Sequence, residues 1–236
     1  MVNGGEIWII ANSLFTLRFK VLFMDSHPPS LDTLRDIKRI MERSSRFISL
    51  SGLSGLSAGV CALVGAYLAY DWIGDYSREK SRVAYPVEIE HDLKIRLISL
   101  ALGVLAVALA LAWYFTWKKA RTNKLPLWDH SSKKLLVNLL IPLVTGGLFV
   151  IGLLVHNAWP FVAPACLVFY GLALVNASKY TLTDIRYLGL LEIILGTINL
   201  YYPHLGLYFW AIGFGLLHIV YGSIMWWKYD KSGLQQ

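Results

Sequence analysis

Long apolar blocks separated by short charged segments are the main pattern along the chain. A helix needs about 20 mostly apolar residues to cross about 30 Å of hydrocarbon. Six blocks reach or approach this length, and the fifth is the weakest because it is the shortest and contains Glu192. The predicted spanning helices cover residues 47–70, 97–117, 135–155, 158–178, 185–202 and 205–227. The sequence therefore predicts an all-α, polytopic membrane protein whose transmembrane domain is residues 47–227.

The segments between these blocks predict how the helices are connected. Two connections are very short, His156-Asn157 between the third and fourth blocks and Pro203-His204 between the fifth and sixth. Helices joined so tightly must be antiparallel neighbours. The connection 71–94 is much longer and mixes acidic with basic residues. We therefore expect three helical hairpins, the first of them with a long polar loop.

Lys and Arg predict the orientation of the helices, because cytoplasmic segments are enriched in them. The segments before the first block, between the second and third, between the fourth and fifth, and after the sixth are basic. The two tight turns on the opposite side contain no Lys or Arg. Both termini are therefore expected in the cytoplasm, with 228–236 as a cytoplasmic tail, and we expect a multi-pass protein of a bacterial inner membrane.

The first 46 residues differ from the rest of the chain. Residues 1–23 contain an apolar stretch that polar residues interrupt, so we expect either a miscalled upstream extension or an interfacial segment. Residues 24–46 predict an amphipathic helix with a basic face. Its basic positions include Arg35, Lys38, Arg39 and Arg43. A cytoplasmic helix of this kind is suited to an anionic inner leaflet, as a topology anchor or as a contact for a cytoplasmic protein partner.

Composition supports the membrane assignment and excludes some functions. The chain is 56% hydrophobic and 16% charged, against about 25% charged in soluble domains. The net charge of +7 comes from residues beside the apolar blocks, so membrane orientation explains it and no nucleic-acid partner is expected. Cys61 and Cys166 lie inside apolar blocks, where free thiols are the default. The sequence contains no zinc, haem, P-loop, hydrolase or kinase pattern, so we expect a non-enzymatic protein with no metal or cofactor.

Glu192 is the most unusual residue of the predicted membrane domain. An ionisable group near the middle of a spanning helix costs about 2.5–3.5 kcal/mol, so such a group normally faces other helices and has a partner. Glu192 lies about 10 Å from the inner end of the fifth helix, and His218 lies about 13 Å from the same boundary on the sixth. Glu192 and His218 are therefore a candidate intramembrane polar site for a proton or a ligand. The alternative is a buried structural pair, or two groups with unrelated partners.

Ser51, Gly55 and Gly59 form a stripe of small residues in the first predicted helix, because they recur every four positions. Small side chains allow the backbone of another helix to approach closely. We expect this stripe to be a helix-packing face, either within the bundle or between the protomers of a homo-oligomer, with a substrate groove as the alternative.

The last predicted hairpin carries a regular glycine and proline pattern. Gly189, Gly196 and Pro203 are spaced by seven residues, and so are Gly215 and Gly222. This hairpin resembles the helix–Pro turn–helix unit of the small six-helix acid-resistance membrane proteins of bacteria. The resemblance implies a compact six-helix bundle of three hairpins and a role in acid or envelope stress.

Three classes of function are consistent with these features, and one of them is a membrane enzyme that acts on lipid. The small soluble segments and the scarce intramembrane polar groups favour a non-enzymatic membrane component in sensing, stress response or regulation. The Glu192 and His218 pair favours the alternative, a small transporter or channel.

Overall fold

The computed structural model describes residues 51–80, 87–123 and 128–231, with the backbone alone for 87–89. Regular structure in these residues is entirely helical. The helices are α1 (Gly52–Lys80), α2 (Val87–Thr122), α3 (His130–Val155), α4 (Trp159–Tyr180), α5 (Asp184–Tyr201) and α6 (Pro203–Lys231). Both ends of α4 and the first turn of α6 are 3₁₀-helix. The expected all-α class with six helices is confirmed.

Five of the described helices are long and apolar enough to cross a membrane, which indicates a multi-pass membrane protein. They are α1, α2, α3, α4 and α6. The remaining helix, α5, has 18 residues and carries Asp184, Arg186 and Glu192. These charges lower its mean hydropathy, and a crossing by α5 stays a prediction.

Several predictions concern residues outside the described ranges. They are the segment 1–23, the amphipathic helix 24–46, the start of the first span at 47–50, and the end of the tail at 232–236. The basic residues Arg35, Lys38, Arg39 and Arg43 belong to this part of the chain.

The prediction of a long loop over residues 71–94 is wrong for most of these residues, because they are helical. Helix α1 continues to Lys80, well past the predicted end of the first span, and α2 already begins at Val87. In the extension of α1, Arg78 pairs with Asp75 one turn away at 3.2 Å. Hydropathy marks where a helix leaves the hydrocarbon, whereas the backbone hydrogen bonds of a polar helix can continue into water.

Local sequence explains where α3 begins and ends. Asp129 caps its N-terminus by accepting a hydrogen bond from the N–H of Ser132 (2.6 Å), and the Ser132 hydroxyl accepts one from the N–H of Asp129 (2.9 Å). After the helix, Asn157 has a φ of 56°, a left-handed conformation in which Asn is enriched. Asn157 thereby turns the chain between α3 and α4 over the short connection that the sequence predicts.

Glycines bring two pairs of helices into close contact. Between α4 and α5, a Cβ on Gly171 would lie 2.5 Å from the carbonyl oxygen of Gly189, and one on Gly189 would lie 2.7 Å from that of Gly171. Between α1 and α6, a Cβ on Gly59 would lie 2.7 Å from the carbonyl oxygen of Gly215. Backbones that approach this closely leave space for hydrogen alone at these positions, as in other packed membrane helices.

The packing of the helices buries one face of α5 and leaves the opposite face exposed. Extensive contacts join α4 to α5, α1 to α2, α3 to α4 and α1 to α6. Helix α5 packs more on α4 than on α6, its predicted hairpin partner. By contrast, almost none of the residues in the apolar stretches of α2 and α3 are buried, as suits a surface in contact with lipid. The buried side of α5 therefore faces α4 and α6.

Candidate functional site

Glu192 lies on the face of α5 that is buried in the bundle. The buried residues of this helix recur every three or four positions: Ile185, Leu188, Gly189, Glu192, Gly196 and Asn199. The Glu192 side chain is 0% exposed. Neither of its carboxyl oxygens has a hydrogen-bond partner among the described residues. This position is costly, because a buried polar group without hydrogen bonds suffers its full desolvation penalty.

His218 of α6 faces this carboxyl group. Its Nδ1 atom lies 3.5 Å from Glu192 Oε1, within the range of an ion pair. The His218 side chain is only 8% exposed and that of Glu192 is 0% exposed, so both members of the pair are shielded from water. The structure therefore brings together the two residues that the sequence places at similar depth.

Two further contacts define the hydrogen bonding of the imidazole. His218 Nδ1 lies 3.0 Å from the carbonyl oxygen of Gly213, which can only accept, so Nδ1 carries a hydrogen and donates it. His218 Nε2 lies 2.7 Å from the hydroxyl of Tyr170 on α4. In a neutral imidazole Nε2 accepts the Tyr170 hydrogen, and in an imidazolium Nε2 donates to the Tyr170 oxygen. Tyr170 can therefore stay bonded in both charge states of His218.

The backbone next to His218 has an unusual form. Residues Ala211–Leu217 are a π-helix that ends directly before His218, a distortion that is frequent at functional sites. Within this segment, a Cβ on Gly213 would lie 2.5 Å from Glu192 Oε2. The glycine at 213 therefore allows the carboxyl group to reach the position beside the imidazole.

Aromatic rings enclose the imidazole. The ring centroid of Phe214 lies 5.1 Å from that of Tyr170 and 6.1 Å from that of His218. The centroid of Trp210 lies 5.2 Å from that of Phe214. Because His218 is buried beside these rings, its surroundings are apolar, and in such a low-dielectric environment the interaction between charges is stronger than in water.

Asn199 is a second buried polar group on α5, and the sequence analysis missed it. It is 0% exposed, and neither Oδ1 nor Nδ2 has a hydrogen-bond partner in the part of the chain that the structure describes. Asn199 follows Glu192 by seven residues, so both side chains lie on the same face of the helix. The sequence could have indicated that Asn199 is buried, because residues two turns apart on one helix lie on the same face.

Two residues of the predicted stripe of small residues pack against α6, and the third does not. A Cβ on Gly55 would lie 3.3 Å from a backbone Cα of α6, and Gly59 lies against the same helix. Ser51 instead precedes α1 and donates its hydroxyl hydrogen to Asp230 Oδ2 at 3.1 Å. Gly52 takes the place of Ser51 in the packing face, because a Cβ there would collide with the α6 backbone.

Asp230 joins the ends of three helices. Its Oδ2 atom accepts a hydrogen bond from the N–H of Gly52 at 3.0 Å and so caps the N-terminus of α1. Its Oδ1 atom lies 2.6 Å from Lys119 Nζ near the end of α2, an ion pair without hydrogen-bond alignment. A cap supplied from so far along the chain has no local sequence signal.

A further polar cluster attaches the start of α5 to the end of α6. Asp184, which precedes the predicted span 185–202, accepts hydrogen bonds from Lys228 Nζ at 3.0 Å and from the Tyr229 hydroxyl at 2.7 Å. Burial acts to raise the pKa of Asp184, but the hydrogen bonds from Tyr229 and Lys228 outweigh it and hold that pKa below its ordinary value. Asp184 is therefore a carboxylate at neutral pH.

Comparisons with protein-family models, with curated proteins and with solved structures find no match to this chain. Within residues 51–80, 87–123 and 128–231, no group of three His, Cys, Asp or Glu side chains is placed to hold a metal ion. The buried cluster around Glu192 is the feature that requires a functional explanation.

Proposed function

We propose that this chain is a non-enzymatic membrane component with a sensing or regulatory role, and that the signal it senses is the proton. The observation that carries the proposal is the Glu192 carboxyl group, which is fully buried and 3.5 Å from His218 Nδ1. Buried ion pairs are often no more stabilising than well-packed apolar residues of similar volume. Stability alone therefore explains poorly why two ionisable groups occupy this position. A proton-binding site, by contrast, requires ionisable groups.

A change in protonation would change the charge of the site. The pair is neutral overall when one proton is shared, on either the Glu192 carboxyl group or His218 Nε2. One more proton leaves a buried cation without a counter-charge, and the desolvation of that cation costs several kcal/mol of free energy. The groups that face the pair, the Tyr170 hydroxyl and the Gly213 carbonyl, carry no compensating negative charge. Acidification is therefore expected to loosen α5 from α6 and to favour a second arrangement of the bundle.

The membrane arrangement is the second part of the proposal. We infer six crossings in three hairpins, because α5 connects two helices that are each long enough to span. Eighteen residues of α-helix extend about 27 Å, close to the thickness of the hydrocarbon. By the distribution of Lys and Arg, both termini then lie in the cytoplasm of a bacterial inner membrane.

Other parts of the chain indicate which partners this sensor would contact. The basic helix predicted at residues 24–46 would rest on the anionic inner leaflet and contact a cytoplasmic protein that receives the signal. The exposed apolar faces of α2 and α3 support contacts with lipid or with further protomers of a homo-oligomer. A response to acid is also what the resemblance to acid-resistance membrane proteins implies.

A small transporter or channel is the second candidate. The π-helix before His218 and the lack of a described hydrogen-bond donor to Glu192 favour it, because ionisable groups in membranes often mark ion or proton pathways. The complete burial of Glu192 favours the sensor, since conduction requires that water reach the site.

The test is a pH titration of the purified full-length chain, followed by tryptophan fluorescence and by hydrogen exchange of the α5 and α6 amides. Glu192→Gln keeps the size of the side chain but removes its ionisation, so it should abolish the transition that the wild type shows on acidification. Glu79→Gln, at an exposed position of α1, is the matched control and should retain that transition.

Two outcomes would change the proposal. A wild-type protein whose fluorescence and exchange are constant from about pH 4 to 9 contradicts proton sensing by this pair. Proton or ion flux into proteoliposomes that Glu192→Gln abolishes would establish the transporter instead.

A further inference from the structure

A groove with a volume of about 620 Å³ lies between α1 and α2. Nearly all of the residues that border it are apolar. Val60 and Val64 of α1 and Val107 of α2 are among them, and each is about half exposed. The groove is therefore open along its length to the surroundings of the bundle, which for these two helices are lipid.

Two glycines explain the form of the groove. At Gly65 of α1, an added Cβ would lie 2.6 Å from Val104 Cγ2, so the two helices are in close contact there. At Gly103 of α2, which borders the groove, an added Cβ would meet nothing within 4 Å. The helices thus meet beside Gly65, and the space next to Gly103 stays open.

The groove is as long as one leaflet of a bilayer is thick. On α2 it extends from Arg96 to Val107, a rise of about 16 Å, and half of the hydrocarbon core is about 15 Å. Arg96 directly precedes the predicted span 97–117, and Trp72 follows shortly after the end of the first predicted span. This end of the groove therefore lies at the boundary of the hydrocarbon, where lipid headgroups begin.

Arg96 gives the boundary end of the groove a positive charge. It is the one charged residue that borders the groove among the described residues. Its neighbour Lys94 pairs with Glu90 at 2.7 Å, whereas Arg96 makes no ion pair with a residue that the structure describes. Asp92, one turn before Arg96, is exposed and does not border the groove. A guanidinium group in this position attracts an anion, and its planar set of N–H donors matches a phosphate group.

We propose that the groove between α1 and α2 binds one anionic phospholipid, with an acyl chain beside Gly103 and the phosphate group on Arg96. Contacts with the acyl chain provide little selectivity, because lipid tails are as apolar as the groove. Selectivity comes from the charge of the headgroup, since a basic residue near the membrane surface attracts anionic lipid. This lipid site is separate from the Glu192 site, and in the proposed topology it belongs to the outer leaflet.

The test is native mass spectrometry of the purified full-length chain in detergent. The chain is mixed with equal amounts of phosphatidylglycerol and phosphatidylcholine that carry the same acyl chains. The wild type should prefer phosphatidylglycerol about fivefold, the effect of one basic residue. Arg96→Gln should lose this preference, and Arg96→Lys should keep most of it. Lys118→Gln makes the same change of charge at an exposed position near the other end of α2 and should behave as the wild type does.

A second pair of variants tests the groove itself. Gly103→Leu places a side chain in the open space, so the chain should fold and should retain one lipid fewer than the wild type. Gly147→Leu is the matched control, because that glycine of α3 is also exposed, also has nothing within 4 Å of an added Cβ, and does not border the groove.

Cys61 provides a readout of where the lipid lies, since it borders the groove and is a free thiol. In a chain with Cys166→Ala, phosphatidylglycerol should slow the reaction of Cys61 with a thiol reagent more than phosphatidylcholine does. Arg96→Gln should remove the difference between the two lipids.

Three outcomes would overturn the lipid site. One is a wild type and an Arg96→Gln variant with the same preference between the two lipids. Another is equal retention of lipid by Gly103→Leu and Gly147→Leu. The third is a wild-type dimer that Gly103→Leu converts to a monomer, which would assign the groove to a second copy of the chain.

Discussion

At the scale of single residues, two carboxyl groups of α5 show how the surroundings determine the role of one chemical group. Asp184 lies at the start of the helix and receives hydrogen bonds from Lys228 and Tyr229. Glu192 lies two turns farther along, fully buried and without a described hydrogen-bond donor. Donors stabilise the charged form of the first carboxyl group, so it attaches two helices. The second has a histidine within ion-pair distance and suits the exchange of a proton.

Asp184 is the basis of a prediction about pH. Its pKa lies below the ordinary value, since the hydrogen bonds outweigh the effect of burial. The folded chain therefore binds this proton less tightly than the unfolded chain does. The stabilisation is complete above the ordinary Asp pKa of about 4 and is lost as the pH falls through the lower pKa of the folded state.

Asp184→Asn should remove this part of the acid dependence and should lower the free energy of unfolding by about 0.5–1 kcal/mol at neutral pH. The measurement is the free energy of unfolding in detergent as a function of pH. Asp75→Asn, in an exposed ion pair of α1, is the control and should change little. Parallel curves for Asp184→Asn and the wild type would show that this carboxylate has no role in acid stability.

At the scale of helices, the crossing of α4 with α5 depends on Gly171. In Gly171→Ala, the new Cβ would meet the Gly189 carbonyl oxygen at 2.5 Å and the Ile193 backbone nitrogen at 2.9 Å. Backbone atoms cannot rotate away as a side chain can, so the helices must separate, with a loss of about 1–3 kcal/mol. Thermal unfolding in detergent measures this loss.

Gly147→Ala on α3 is the matched control, because a Cβ there would meet nothing within 4 Å. By helix propensity alone it should be neutral or should stabilise the protein by about 0.5–1 kcal/mol. If Gly171→Ala and Gly147→Ala had the same effect, the close approach of α4 to α5 would not contribute to stability.

At the scale of the whole molecule, the crossing by α5 decides the topology. Lys179 precedes α5 and His204 follows it, and both are exposed. In a chain that lacks the free thiols of Cys61 and Cys166, His204→Cys should react with a membrane-impermeant thiol reagent applied outside. Lys179→Cys should react only after the membrane is made permeable, because its segment is basic and expected inside. Labelling of both positions from the same side would contradict a crossing by α5.

The sequence by itself determined the helical class, the number of helices within the described part of the chain and the short connection between α3 and α4. These properties follow from local quantities: the apolar character of a window of about 20 residues and the conformational preferences of residues such as Asn157. It also placed Glu192 and His218 at similar depth, because a helix has a constant rise. The prediction of a loop over residues 71–94 was wrong, since polarity shows where a helix leaves lipid and says little about where the helix ends.

Only the tertiary structure decided which groups meet. Tyr170 and Gly213 join the site of Glu192 and His218 through contacts between three helices, and Asp230 caps a helix that begins far away in the sequence. No local pattern encodes such contacts, because they depend on the rotation and spacing of helices packed against one another. The glycines at the helix crossings determine that spacing. The four-residue repeat predicts a packing role for Gly55 and Gly59, but the atoms that each glycine meets are known only from the structure.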